Sequence, residues 1–462
     1  MDIGQLDLDL ANAAKRNIIF GKEPLVLART ENSDLLSASK ESGVEFFERV
    51  FSSDGPLWRM YQEARLGYLP ENASHLNFIA GRMYFLRNVE KKYLRSSGME
   101  KNYAWSDGKL TEFAPISPQN ALLFISSPFG MLSQALDISL LPLYVDEKMR
   151  EFGTFKEKTL RYYSEHKGST AHPVELAKES LANAVQSMHY SFISSLAAAF
   201  KIKMRNSGQW GVCEAETLFH LLEKGDIDGA ARQYGFHSVS PYDISAARFH
   251  EDLKYAKRKP VPFPLDPYAR LRENAKFQCS RYLDLMRDAY VSIGEESGIG
   301  GLVFYLKTDE LESTIADPRK WKEEAQRRKK EYDGWAGLDL PDTFVYANGA
   351  WVEYAEKSPS IVGIPAGAPM EAKGEAVFIN EEKDYSKSVG GKIIISKTFS
   401  PNLASILKGS AGIISSSGGV LAHTAIIARE MGIPCIVSAK GVDGIKEGQI
   451  VTIDGKSGKI SI

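Results

Sequence analysis

The texture of this chain changes near residue 355, and that change restricts the folds open to it. Upstream, apolar residues recur at helical spacing over long stretches: Pro173 to Lys203, Glu214 to Lys224, Pro267 to Ser292 and Pro318 to Trp335. Downstream, short apolar runs alternate with helical pieces. Glu375–Ile379, Lys392–Ser396, Gly412–Ser415, Pro434–Val437 and Ile450–Asp454 predict strands, and Asn402–Leu407 and His423–Met431 predict helices. Such alternation in so short a span predicts an α/β layer unit. The stretch Ser358–Pro369 is dense in Pro, Gly and small residues, which is linker composition. With 462 residues the chain exceeds one ordinary core. The expected organisation is a mostly α-helical domain over 1–355, a hinge linker over 356–370 and a small α/β domain over 371–462.

Charge and cysteine content exclude several functions. The formal net charge is -2, so no general attraction to nucleic acid or an anionic membrane is expected. The basic run Arg327–Lys330 lies among Glu and Lys residues and reads as a solvated helix face. The most apolar stretch, Ala121–Val145, is interrupted by Pro128, Asp137 and Pro142, which argues against a membrane span. Cys213, Cys279 and Cys435 are far apart and show neither disulfide nor metal-ligand spacing. The first residues carry no apolar signal core. A cytoplasmic location is expected.

The segment with chemical content runs from Ser415 to Pro434. A predicted strand ends in a Ser/Gly loop, which brings His423 to the first turn of a predicted helix. Gly432 and Pro434 mark the end of that helix. Free N–H groups and the dipole at a helix N-terminus favour an anion. Gly418 and Gly419 would let the backbone approach phosphate oxygens, Thr424 supplies a hydroxyl, and Arg429 is placed to pair with a phosphate. Imidazole is a competent nucleophile at neutral pH, so His423 is a candidate phosphoryl carrier. Spacing alone leaves two other readings open, a helix cap and a satisfied core histidine.

These residues resemble the swivelling phosphohistidine domain of the phosphoenolpyruvate-utilising enzymes, among them phosphoenolpyruvate synthase and pyruvate phosphate dikinase. Gly418-Gly419, His423, Ala425, Ala428-Arg429-Glu430 and Gly432-Ile433-Pro434 match the family pattern, whereas Ala422 and Thr424 depart from its usual Ser and Ala. The similarity extends from Val362 to Ile462. It implies that His423 carries a phosphoryl group split from ATP, with Gly418, Gly419, Thr424 and Arg429 as its phosphate-binding surroundings.

Upstream, Gly81-Arg82-Met83-Tyr84 and Leu302–Leu311 resemble parts of the acceptor domain of rifampicin phosphotransferase and related dikinase-like kinases, and Tyr234–Arg248 stands where those enzymes carry Gly-His-Arg-Gly-Pro and an acidic residue, departing from that pattern at Phe236, His237 and Pro241. That resemblance implies a strand at Leu302–Leu306 and a site for a small-molecule acceptor: phenolic, amide or another hydroxyl compound. Transfer there needs a base and cations. His237 and Asp243 are the candidates for the base, Arg82 and Arg248 for the cations. Each also has a purely structural reading: a loop turn for His237, a helix cap for Asp243, surface pairs for the arginines. The family's ATP-grasp pattern is not found in these 462 residues, and neither is a Walker loop. The expectation is therefore a split phosphotransferase, similar in plan to the histidine-bearing subunit of phenylphosphate synthase. ATP and Mg²⁺ would be bound mainly by a partner ATP-grasp subunit. The alternative is a phosphorylatable regulatory or binding module without turnover.

Overall fold

The computed structural model describes residues 3–20, 23–29, 39–71, 73–93, 102–106, 109–113, 128–169, 171–203, 213–238, 240–251, 265, 267–336, 340–341, 343–353, 361–380, 384, 386–396, 407, 409–416 and 423–462. All structural statements below concern these residues.

The region before residue 354 holds helices and also a sheet that the periodicity did not announce. Strands β1 (Leu25–Arg29), β2 (Leu76–Ile79) and β3 (Arg82–Leu86) precede a separate hairpin, β4 (Asn102–Ser106) and β5 (Lys109–Phe113). Strands β6 (Thr343–Ala347) and β7 (Ala350–Glu353) then return from far along the chain. The first sheet is antiparallel in the order β2-β3-β1-β6-β7, with Leu27 facing Leu86 on one side and Phe344 on the other. Both of its hairpins turn on two consecutive residues with positive φ: Ala80-Gly81 at 46° and 68°, and Asn348-Gly349 at 54° and 83°. This is the turn geometry whose twist suits adjacent antiparallel strands. Helices still make up most of this region, and the sheet is what the periodicity did not announce. Every residue of β3 is buried, so it carries no alternating pattern to mark it as a strand.

The helices are α1 (Ile3–Arg16), α2 (Glu41–Val50), α3 (Pro56–Glu63), α4 (Arg87–Tyr93), α5 (Pro128–His166), α6 (Pro173–Ala199), α7 (Glu214–Glu223), α8 (Ile227–Tyr234), α9 (Pro267–Glu296), α10 (Leu311–Ala316) and α11 (Pro318–Ala336). The four long helical stretches of the sequence correspond to α6, α7, α9 and α11. Helices α6 and α9 form the main packing pair. Ala177, Leu181, Ala184 and Met188 on α6 share a core with Ala275, Cys279, Met286 and Ile293 on α9. The expected strand at Leu302–Leu306 is instead part of a 3₁₀ turn, Gly300–Tyr305. The chain folds tightly there: a Cβ on Gly294 would lie 2.5 Å from the carbonyl oxygen of Gly300. The two can touch only because residue 294 has no side chain.

The C-terminal region is a closed barrel rather than an open layer. Its strands are β8 (Ile361–Pro365), β9 (Glu371–Phe378), β10 (Ile393–Ser396), β11 (Gly412–Ser415), β12 (Cys435–Lys440), β13 (Ile450–Asp454) and β14 (Lys459–Ser461), with helix α12 (His423–Glu430) between β11 and β12. The closed order is β10-β11-β12-β8-β14-β13-β9. Strands β9 to β12 run parallel and the other pairings are antiparallel. Side chains alternate between two cores. Ile393, Ile395, Ile414, Ile436 and Ile453 fill one. Val377, Ile394, Ile413, Cys435 and Val437 pack with Ala425 and Ala428 of α12 in the other. Burial on both faces explains the near-continuous apolar runs. The predicted helix Asn402–Leu407 lies outside the described residues except for Leu407.

The expected hinge linker is also corrected in part. Ile361–Pro365 is barrel strand β8, and Gly363 sits so close to β12 that an added Cβ would lie 2.5 Å from Ile436 Cγ2. The Pro/Gly composition reflects this close approach of two strands, and the chain from Ala366 onward continues along the barrel.

Candidate functional site

Strand β11 ends at Ser415, and Ser416 adds one more ladder bond, its N–H donating to Ser396 O at 3.1 Å. The chain next appears as α12, whose first residue is His423. Because β9 to β12 are parallel, this helix begins beyond the C-terminal ends of the strands, the side on which open α/β sheets bind ligands. The first-turn N–H groups of α12 have no carbonyl partner within the helix and give an anion a place to dock. Ala425 and Ala428 fix the other face of the helix to the core. The helix ends in a paired-bond glycine cap: Ile433 N–H donates to Ala428 O at 2.8 Å and Gly432 N–H to Arg429 O at 3.2 Å, with Gly432 at φ 67°. The glycine stop read from the sequence is thus present.

The predicted phosphate ligands divide. Gly418 and Gly419 lie outside the described residues. Thr424 is buried, so its hydroxyl is withdrawn from solvent. Arg429 sits six residues along α12, roughly 9 Å of helix rise from His423. Its Nη1 donates to Ala366 O at 2.9 Å. This contact ties the end of α12 to the turn after β8.

The four candidate acceptor residues fall in the N-terminal region. Arg248 is wholly buried. Its Nη2 donates weakly to Leu283 O at 3.4 Å, and its Nε lies 3.9 Å from Asp284 Oδ1. Asp284 Oδ2 in turn accepts from Tyr163 Oη at 2.7 Å and pairs with Lys167 Nζ at 2.8 Å. Arg248 is thus a buried structural ion, closed off from an acceptor, and the expected role is corrected. Arg82 is buried as well, with Nη1 donating to Trp335 O at 2.9 Å. His237 packs between the rings of Phe249 and Phe277, at 5.2 and 4.9 Å. Its Nδ1 accepts from the N–H of Ser238 at 2.9 Å, and burial pushes the imidazole down to about 4. A ring so placed supports a loop and is not poised as a base at neutral pH.

Asp243 differs from the other three. Its side chain is 43% exposed. Oδ1 accepts from Ser245 N–H at 2.8 Å and Ser245 Oγ at 2.6 Å, an Asx turn rather than the cap of a following helix. Ser245 Oγ also accepts from Lys40 Nζ, which lies 3.9 Å from Asp243 Oδ2. The Lys40 ammonium is 5.7 Å from the ring centre of Tyr305 and 5.6 Å from that of Tyr332. Of this cluster the sequence had singled out Asp243 alone; Lys40, Ser245, Tyr305 and Tyr332 join it only in the fold. The spacing Asp243-Ile244-Ser245 is the one local signal; Lys40 belongs to no motif.

The C-terminal region is thus a barrel of parallel and antiparallel strands with a histidine at the first position of the helix between β11 and β12. Residues 389–458 match the family model described as PEP-utilising enzyme, mobile domain. The match covers most of the C-terminal barrel, so this region is similar to the mobile domain of the phosphoenolpyruvate-utilising enzymes. The chain is similar to the uncharacterised phosphotransferase YvkC of Bacillus subtilis, 29% identical over 205 residues, which is 39% of this chain and 24% of that protein. It is 35% identical over 107 residues to a probable phosphoenolpyruvate synthase of Archaeoglobus fulgidus, covering 23% of this chain and 14% of the relative. For the phosphoenolpyruvate synthase of Pyrococcus furiosus the identity is 31% over 109 residues, 23% of this chain and 13% of the relative. The aligned stretches span under a quarter of each of these three relatives.

Proposed function

We propose that this chain is the phosphohistidine-carrying part of an ATP-dependent phosphotransferase. His423 takes a phosphoryl group derived from ATP held on an ATP-grasp partner and delivers it to a small-molecule acceptor in the helical region. The observation that carries this reading is the place of His423: first residue of α12, past the strand ends, within the segment matched by the mobile-domain family.

The barrel's own contribution is positional. Its helix N-terminus stabilises the dianionic phosphoryl group on the imidazole, and its apolar cores hold the helix rigid. Transfer to the acceptor breaks the P–N bond, returns the electron pair to the imidazole and forms a P–O bond. Among the described residues no group of three or more His, Cys, Asp or Glu comes together as a cation site. On this reading Mg²⁺ and nucleotide belong to the ATP-grasp partner, where one or two carboxylates and the nucleotide phosphates would hold the ion.

The test is labelling from β-³²P-ATP with the chain alone and with a candidate ATP-grasp partner. The expected result is acid-labile, alkali-stable label that needs the partner and disappears in His423→Ala. Label retained by His423→Ala would remove the carrier role. No label in any combination would favour the binding-module alternative.

A further inference from the structure

The ammonium of Lys40 has capacity that its surroundings leave unused. A lysine carries three N–H donors, and Lys40 makes one hydrogen bond, to Ser245 Oγ. Its nearest carboxylate oxygen, Asp243 Oδ2, is 3.9 Å away, beyond hydrogen-bond length. The side chain is 19% exposed, so the ammonium is largely shielded from bulk water. Other cations nearby are matched by carboxylates. Arg328 forks onto Glu310 at 2.7 Å and also bonds Glu324, and Lys329 bonds Asp333. Lys307 pairs with Glu48 at 3.4 Å.

The elements that meet at Lys40 are distant in sequence. The chain just before α2 supplies the lysine, and the turn over residues 240–246 supplies Asp243 and Ser245. The 3₁₀ turn supplies Tyr305, and α11 supplies Tyr332. Such convergence of a cation, a carboxylate, a hydroxyl and two aromatic faces is the equipment of a small-molecule site.

We propose that Lys40, Ser245 and Asp243, flanked by Tyr305 and Tyr332, form the acceptor end of the transfer, with Lys40 holding the phosphoryl oxygens. The assignment rests on the phosphoryl-transfer reading above and gives it a place on this chain. In the step, the acceptor hydroxyl attacks phosphorus while the bond to the His423 nitrogen breaks. The hydroxyl proton passes to Asp243 Oδ2, the oxygen that carries no hydrogen bond from Ser245. Ser245 holds Asp243 in register by two hydrogen bonds to Oδ1 and is a positioning residue. The Tyr305 and Tyr332 rings favour an acceptor with a flat or apolar body and a hydroxyl at one end.

The experiment uses the full chain with inorganic phosphate as probe. Two readouts are taken: calorimetric affinity, and protection of Lys40 from trinitrobenzenesulfonate, located by peptide mass spectrometry. Phosphate is expected to protect Lys40. Lys40→Met is expected to weaken phosphate affinity by about tenfold or more, and Lys40→Arg by about threefold or less. Asp243→Asn, which removes an opposing charge, is expected to tighten it. That sign is not expected of a merely structural Asp243, and it stands if Lys40→Met fails to fold. Unchanged affinity in Lys40→Met, or no protection of Lys40, would overturn the assignment. Labelling of His423 from β-³²P-ATP is scored separately. Normal labelling with no Lys40 effect removes only the acceptor end. Absent labelling with Lys40 protected removes the carrier reading and leaves an anion site.

Discussion

The two regions of this molecule treat charge in opposite ways. In the barrel, the buried polar side chains are hydroxyls only: Ser396, Ser410, Ser415 and Thr424. In the N-terminal region the buried set includes Glu45, Arg82, Glu214, Arg248, Arg281 and Asp284. Glu214 is gripped by Arg281 and hydrogen-bonded by Gln278 at 2.9 Å. Among the described residues the barrel buries no charged side chain. The N-terminal region keeps ions inside, where each must be matched by a partner. The first design suits a part that only carries, the second a part that recognises.

The largest expected difference comes from removing one buried ion. Asp284→Ala leaves Arg248 without its counter-charge and is expected to cost about 3–5 kcal/mol. In thermal unfolding followed by two probes, the helical region should lose stability while the barrel transition stays in place. An unshifted helical transition would show that the ion network is not what separates the two regions.

A smaller effect is expected from the barrel. Gly363→Ala would put a Cβ 2.5 Å from Ile436 Cγ2 and 2.7 Å from the carbonyl oxygen of Val437. The expected cost is about 1–3 kcal/mol, confined to the barrel. A neutral result by denaturant titration would mean that β8 can move away from β12 at little cost, and residues 361–365 would then return to the role of a linker.

The contrast sharpens in acid. Burial holds the His237 imidazole down at about 4, from an ordinary 6.5. The folded form favours the neutral ring, so this contribution is complete above pH 6.5 and is lost as pH falls from there toward 4. Burial pushes the Glu90 carboxyl up, but the hydrogen bond from His75 and the neighbouring Arg87 outweigh it and hold the group at about 2. Its contribution is lost lower still, as pH falls from 4.5 toward 2. The N-terminal region should therefore weaken in acid before the barrel. His237→Gln should flatten the slope between pH 6.5 and 4, as read by denaturant midpoints at stepped pH.

The barrel was the more legible region because its information is local. β10 and β11 are short runs buried on both faces, β13 alternates between buried and more exposed positions, and each strand was visible within a residue or so of its limits. The N-terminal sheet depends on Leu25–Arg29 meeting Thr343–Ala347 across most of the chain, which no window of neighbouring residues encodes. One cue was on the page: Asn348-Gly349 between aromatic residues is a strong hairpin signal. His423 could be read from a contiguous motif. The Lys40 cluster could not, because Lys40 meets Ser245 from 205 positions away. Arg248 misled because a charged residue is ordinarily at the surface.

The closure of the barrel has a further consequence. A sheet with open edges shows unpaired amide and carbonyl groups, which invite another strand to add. β8 seals this rim by pairing with both β12 and β14. On the carrier reading proposed above, the domain would leave one surface, settle on another and meet a succession of neighbours. With no free edge it can dock and undock by side-chain contacts alone, and no foreign strand can zip onto its backbone.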